Sequence, residues 1–343
     1  MVIHILHYRQ SMRIMKQDNF YTERGLNIMK IVLLESLGIS QELLDSYVKP
    51  LREQGHEFAA YERNDDPAVQ IEEAKDADIL IIANMPLKGE VINACPNLKY
   101  INVAFTGVDH VDLEAAKAKG VKVSNASGYS TVAVAELTIA MILDLLRYVP
   151  QVDAACRAGG TKAGFIGAEL EGKTVGLIGT GAIGHRVAEL VHAFGAKVIA
   201  YNGFSHKADT ELIKYVPLKE LMEQSDIVSL HCPVTDQSRG MINAETLSYM
   251  KPTAFLVNEA RGPVVDSQAL ADALNSGKIA GAGIDVFENE PPLDTNHPLL
   301  HSKNTIVTPH VAFATKESME KRAVIVFDNI DAYMAGNQKN VIL

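Results

Sequence analysis

Residues 174–190 read TVGLIGTGAIGHRVAEL. The first five suit a strand, and from His185 onward the pattern takes a helical period. Between them stand Gly179, Gly181 and Gly184. In this strand–turn–helix context the spacing marks a dinucleotide-binding turn. Gly179 permits the tight turn, Gly181 lets the backbone approach a pyrophosphate, and Gly184 lets the helix pack close to the strand. The amides near Ala182 and Ile183 then face the phosphates from the helix N-terminus. The next strand, KVIAYN, ends at Asn202, where a carboxylate ordinarily holds the ribose 2′-hydroxyl. Asn202 can bond a hydroxyl and does not repel a 2′-phosphate, which Ser205, His206 or Lys207 could meet. NAD and NADP both stay open at this point.

The rest of the chain sets the frame around that turn. Its 343 residues suffice for two domains, and a 47% hydrophobic content supports substantial cores. The net charge of −10, from 42 acidic and 32 basic side chains, argues against nucleic acid as a partner. Any anion site must be local. Cys95, Cys156 and Cys232 lack CxxC spacing, so neither a disulfide framework nor a metal site is expected, and a reducing cytoplasm suits them. The most apolar helix candidate, 132–146, carries Glu136 and Asp144 and is too short and too charged to span a bilayer. Residues 1–28 have no long apolar run. They read as a disordered extension, or as an upstream start codon wrongly assigned, with the fold signal beginning at Met29.

Strand and helix signals alternate in two sets. The first holds strands at KIVLLES (30–36), 77–84, 98–105 and 121–126, with a helix at 40–54. A helix over 131–147 is apolar almost all round and is expected to be buried on more than one side. The second set holds strands at TVGLIG, 196–202, 226–233, 253–260, 281–287 and 304–310. Its helices lie near 184–194, 217–224, 244–250 and 267–276, the last capped by Asp266 and ended by Gly277. A final helix covers 315–336. The pattern predicts an α/β protein of two doubly wound parallel-sheet domains.

Arg261, Asp285, Glu290 and His310 all follow predicted strand ends, where ligands bind in open α/β sheets. Seven ordered stretches carry a specific likeness: FTGVDHVDL, SNASGYSTVAVAEL, GKTVGLIGTGAIG, HCPVTDQSRGMIN, MKPTAFLVNEARG, GAGIDVFENEPP and TPHVAFAT. From Met29 to Leu343 the chain resembles the D-isomer-specific 2-hydroxyacid dehydrogenase family.

That resemblance implies a Rossmann-type cofactor domain (128–310) inserted in a flavodoxin-like substrate domain (29–127 and 311–343). It implies hydride transfer between NAD, or NADP, and a small 2-oxo or 2-hydroxy acid, with no metal. Arg261 would anchor the substrate, His310 would be the acid/base, and Glu290 its paired carboxylate. Amides around Thr106 and Gly107 would hold the substrate carboxylate, with Tyr129 nearby. Asp285, His231, Pro233 and Ala260 would line the cofactor beside the glycine turn. A glutamate at 290, in place of glutamine, favours keto-acid reduction over formate oxidation. The family likeness further implies a homodimer with helix 131–147 at its interface. The alternative is a dinucleotide-sensing corepressor of the same fold.

Overall fold

The computed structural model describes residues 28–203, 207–290 and 293–343. The expected extension, apart from Ile28, and Ser205 and His206 lie outside the described residues. Five parallel strands form the first sheet: β1 (Lys30–Leu33), β2 (Glu57–Ala60), β3 (Ile79–Ile82), β4 (Tyr100–Val103) and β5 (Lys122–Asn125). Their order, β2-β1-β3-β4-β5, is the flavodoxin-like one. Helices α1 (Gln41–Glu53), α2 (Pro67–Ala74), α3 (Gly89–Ala94) and α4 (Leu113–Ala118) make the crossovers. Ser40 caps α1 by accepting the Leu43 amide. β3 and β4 are buried at every position because crossover helices cover both faces of a parallel sheet.

Two helices, α5 (Thr131–Arg147) and α6 (Val149–Arg157), lead to the second sheet. Its strands are β6 (Thr174–Ile178), β7 (Lys197–Tyr201), β8 (Lys214–Tyr215), β9 (Ile227–Leu230), β10 (Phe255–Asn258), β11 (Gly281–Ile284) and β12 (Thr305–Val307). They run parallel in the order β12-β11-β10-β9-β6-β7-β8, so the chain reverses direction across the sheet at β6 and β9. That reversal is the crevice where doubly wound sheets bind dinucleotides. Helices α7 (Ala182–Ala193), α8 (Leu218–Gln224), α9 (Ala244–Ser248) and α10 (Ser267–Asn275) complete this layer. Asp266 accepts the Ala269 amide and Gly277 follows the end of α10 at φ +73°, as expected for cap and terminator.

The apolar character of α5 has a reason within the chain. It buries Val134, Ile139, Met141, Ile142, Leu145 and Leu146, and packs on α7, β10 and β11. Gly283 of β11 makes room, since a Cβ there would lie 3.0 Å from Met141 Sδ. Three elements have little sequence signal: β2 and the two-residue β8 are edge strands with no buried residue, and α6 buries nothing.

The last helix, α11 (Lys316–Met334), returns to the first sheet. A Thr315–Ser318 capping box starts it. Asn329 on α11 is fully buried and donates to Asn102 Oδ1 (3.1 Å) and the Asn125 carbonyl (2.9 Å), while accepting from Asn340 (2.8 Å). Asn102 in turn donates to the Val326 carbonyl at 2.8 Å. These bonds fix the helix over β4 and β5. Replacing Asn329 by leucine strands buried acceptors, and we expect a loss of about 3 kcal/mol. Urea unfolding of Asn329→Leu against the native chain checks this, and an unchanged midpoint would count against the network.

Candidate active site

The glycine turn between β6 and α7 is shaped by close contact at two of its glycines and open space at the third. Gly179 sits at φ +95°, and a Cβ there would lie 2.7 Å from the His231 carbonyl. A Cβ on Gly184 would overlap the Gly179 carbonyl, which keeps α7 close to the turn. Above Gly181 a Cβ would meet open space, and no side chain caps the N-terminus of α7. The free amides beginning at Ala182 and Ile183 and the space before them fit a pyrophosphate. Lys207 reaches back onto this turn, with Nζ 2.7 Å from the Thr180 carbonyl. Asn202 follows β7 directly and is half-buried. Ser229 Oγ lies 2.9 Å from His231 Nε2, and the exposed Pro233 accepts from Ser238 at 2.7 Å.

The strand ends of β10, β11 and β12 bring the other residues together. His310 Nδ1 lies 2.7 Å from Glu290 Oε1, and Glu290 Oε2 accepts the Phe287 amide at 3.1 Å. His310 occupies the left-handed region at φ +54°, which is rare for a residue with a side chain. Asp285 holds it there. The His310 amide donates to the Asp285 carbonyl at 2.7 Å. The Asp285 carboxylate, fully buried, accepts from Thr308 Oγ1 (2.6 Å), the Val311 amide (2.8 Å) and the Ala312 amide (2.9 Å). Burial outweighs these donors and raises its carboxyl above the ordinary value.

Arg261 extends from the loop after β10 toward the first sheet. Its guanidinium meets Asp109 Oδ1 at 3.2 and 3.3 Å and donates to the Ala260 carbonyl at 2.8 Å. Partial burial pushes the Asp109 carboxyl up, but Arg261, a backbone amide and His110 together outweigh this and hold it below the usual range. Gly107 lies directly against the guanidinium, and a Cβ there would overlap Nη2. Beside it the Thr106 carbonyl is held by Asn125 Nδ2 at 2.7 Å. Phe105 and Phe313 flank the His310 ring at 5.8 and 5.6 Å, and Tyr129, which is buried, packs against both. Asp109, Phe105 and Phe313 stand inside stretches the sequence marks, yet their types alone single none of them out.

Glu259 adds an unforeseen feature. It is 7% exposed, next to Arg261 in sequence order but one, and its Oε1 has no partner. Thr138 Oγ1 lies 2.7 Å from Glu259 Oε2 and 2.8 Å from the Val134 carbonyl. One hydroxyl proton cannot serve both acceptors. A proton on Glu259 resolves this, with Glu259 donating to Thr138 and Thr138 to Val134. Burial, and less strongly Asp285, push Glu259 up to about 8, in agreement with that arrangement. The signal in sequence is a lone acid at the end of the apolar run TAFLVNEA.

Residues 139–312 match the family described as D-isomer specific 2-hydroxyacid dehydrogenase, NAD binding domain. The chain is 36% identical over 324 residues to a hydroxypyruvate reductase of Blautia hydrogenotrophica, covering 92% of this chain and 99% of that one. It superposes on the D-lactate dehydrogenase of Aquifex aeolicus, complexed with NAD and lactic acid, with a TM-score of 0.79 and 32% identity over 90% of this chain and 96% of that one. An acyclic imino acid reductase in complex with NADPH and D-Arg superposes with a TM-score of 0.83 and 32% identity, over 92% of this chain and 100% of that one. The chain belongs to the D-isomer specific 2-hydroxyacid dehydrogenases. It is an NAD(P)-dependent enzyme of that class.

The folded protein keeps the Glu259 proton up to about 8, while an unfolded chain releases it near 4.5. Stability from this group is therefore complete below the lower value and falls as pH rises toward the upper one. Glu259→Gln keeps a donor for Thr138 and does not titrate. The melting temperature of the glutamine variant, taken relative to the native protein, is expected to rise between pH 5 and pH 9. Equal differences at both pH values would show that Glu259 is not a buried neutral acid.

Proposed function

We propose that the protein reduces a small 2-oxo acid to the D-2-hydroxy acid, with His310 as proton donor, Glu290 as its partner and Arg261 as substrate anchor. The observation that carries this reading is the 2.7 Å contact between His310 Nδ1 and Glu290 Oε1. It commits Nδ1, so Nε2 is the nitrogen left to face a carbonyl oxygen. When bound, the nicotinamide cofactor supplies the hydride. His310 gives its proton to the carbonyl oxygen and recovers one in the reverse direction. The Glu290 carboxylate holds Nδ1 and so fixes the orientation of the ring.

The Arg261 fork suits a planar carboxylate and polarises the adjacent carbonyl. Its present partner, Asp109, has a side chain 59% exposed, and such surface pairs yield readily. The amides of Thr106 and Gly107 meet the same carboxylate, and Tyr129 closes the pocket behind it. Along the cofactor we place Gly179, Gly181, Ala182, Ile183, Gly184, Asn202, His231, Pro233, Ala260 and Asp285. No described helix is long and apolar enough to cross a membrane. Cytoplasmic placement and a homodimer are part of this reading. Exposed Val132, Val149, Val152 and Ile166, on α5, α6 and the following loop, support the dimer.

Hydroxypyruvate, for which the Blautia relative is named, is the first substrate to assay, with NADH and NADPH in parallel. His310→Gln is expected to lower turnover by about 10²-fold or more, with NADH affinity retained. Near-native turnover would remove His310 as the donor. Arg261→Lys keeps the charge but loses the fork, so both KM and kcat should suffer. Full activity in that variant would reject the anchor.

A further inference from the structure

Glu290 stands beyond the end of β11, on loop backbone that no strand pairing fixes, yet it must hold a carboxylate against His310. Glu288 supplies a support. Its Oε1 accepts from Ser267 Oγ at the start of α10, and its Oε2 lies 3.0 Å from His297 Nε2. His297 Nδ1 accepts the Leu299 amide at 3.4 Å, so the ring carries its proton on Nε2 and gives it to Glu288. The same ring packs edge-on against Phe287 at 5.0 Å, and the Phe287 amide is the one that donates to Glu290. Glu288 thus has a donor on each oxygen. Burial alone would push its carboxyl up, but Ser267, His297 and a backbone amide together hold it below the usual range.

This clasp closes on the turn that carries Arg261. A Cβ on Gly262 would overlap the Phe287 carbonyl carbon and the Glu288 nitrogen, so backbone rests directly on backbone there. Glycine alone admits that approach. Ser267 follows on the same stretch of chain, past the helical turn Gly262–Val264. The Glu288 side chain is therefore a polar tie between the Arg261 turn and the segment of Glu290. Arg261 also has support of its own, since its carbonyl accepts Asn258 Nδ2 at 3.0 Å. Loss of the tie would thus fall on Glu290 more than on Arg261.

We propose that Glu288, held by Ser267 and His297, is a positioning residue that sets Glu290, and through it His310, against Arg261. No hydrogen bond or ion pair joins Glu288 to Arg261 or His310 among the described residues, so its effect runs through Glu290. Proton transfer is sensitive to such placement, because a small displacement of the donor removes the aligned geometry. The proposal rests on the reading of Arg261, Glu290 and His310 given above and adds what keeps them in register.

Glu288→Ala removes both bonds. Glu288→Gln keeps both, since its carbonyl accepts from His297 Nε2 and its amide donates to Ser267 Oγ. With NADH and the 2-oxo acid that the native enzyme reduces fastest, Glu288→Ala is expected to lower kcat about tenfold or more, with KM and NADH affinity within about twofold of native. Glu288→Gln should restore most of the lost kcat. His297→Phe keeps the ring against Phe287 but loses the bond, and should lower kcat in the same way; it carries the test where Glu288→Ala does not fold. Native kcat in these two variants overturns the proposal. So does a joint loss of kcat, KM and NADH affinity that glutamine does not restore, which is what general loosening gives. Nuclear magnetic resonance of protein with isotope-labelled histidine reads the positioning without turnover, the His310 ring signals being those missing in His310→Gln. They should move in Glu288→Ala and return in Glu288→Gln, and signals unmoved in Glu288→Ala overturn the proposal. Moved and restored signals in a protein that turns over no 2-oxo acid would uphold the clasp and defeat the reading of His310 instead.

Discussion

The geometry around His310 depends on one buried carboxylate. Asp285 directly follows β11 and takes three donors from residues 308–312, so the loop after β12 wraps round its side chain. An unpaired charge in that position would be expensive, and the donors make it tolerable. The same contacts hold His310 at φ +54°, a conformation that costs on the order of 1 kcal/mol or more and persists only when surroundings impose it. The strain serves orientation, because the imidazole then meets Glu290 on one side and stands between two aromatic rings on the other.

Burial, with Asp285 as a lesser influence, sets the state of the neighbouring Glu259. Two carboxylates buried close together cannot both ionise cheaply. Asp285 has three donors, whereas Glu259 has only the Thr138 hydroxyl. The proton therefore resides on Glu259, which links the loop carrying Arg261 to α5 by a neutral hydrogen-bond relay. Two acids near each other, in opposite charge states, follow from the unequal supply of donors.

The site is completed only where the two sheets meet. Arg261 comes from the second sheet, and Asp109, Gly107 and Phe105 come from the loop after β4 of the first. A partly exposed ion pair, Arg261 with Asp109, joins them. The rings of Phe105 and Phe313 pack edge-on against His310.

Local period and spacing were enough to read most of the strands and helices, the cap at Asp266, and the glycine turn. These features arise between residues near in sequence, where apolar alternation and backbone freedom act directly. Family likeness, not spacing, is what groups Arg261, Glu290 and His310 as expected site residues, and the contact between Glu290 and His310 is made by the fold. The edge strands β2 and β8 and the exposed helix α6 escaped because they bury no apolar residue. Strand order was equally hidden, since a period shows that a strand exists but not which strand lies beside it. The Arg261–Asp109 pair spans 152 positions, and the Glu259–Thr138 contact spans 121. Arg322 reads in sequence as one more charge on a helix, and only packing reveals that it is buried against the Tyr129 ring. Charge state and partnership depend on what surrounds a group in space, and that is decided when distant segments fold against each other.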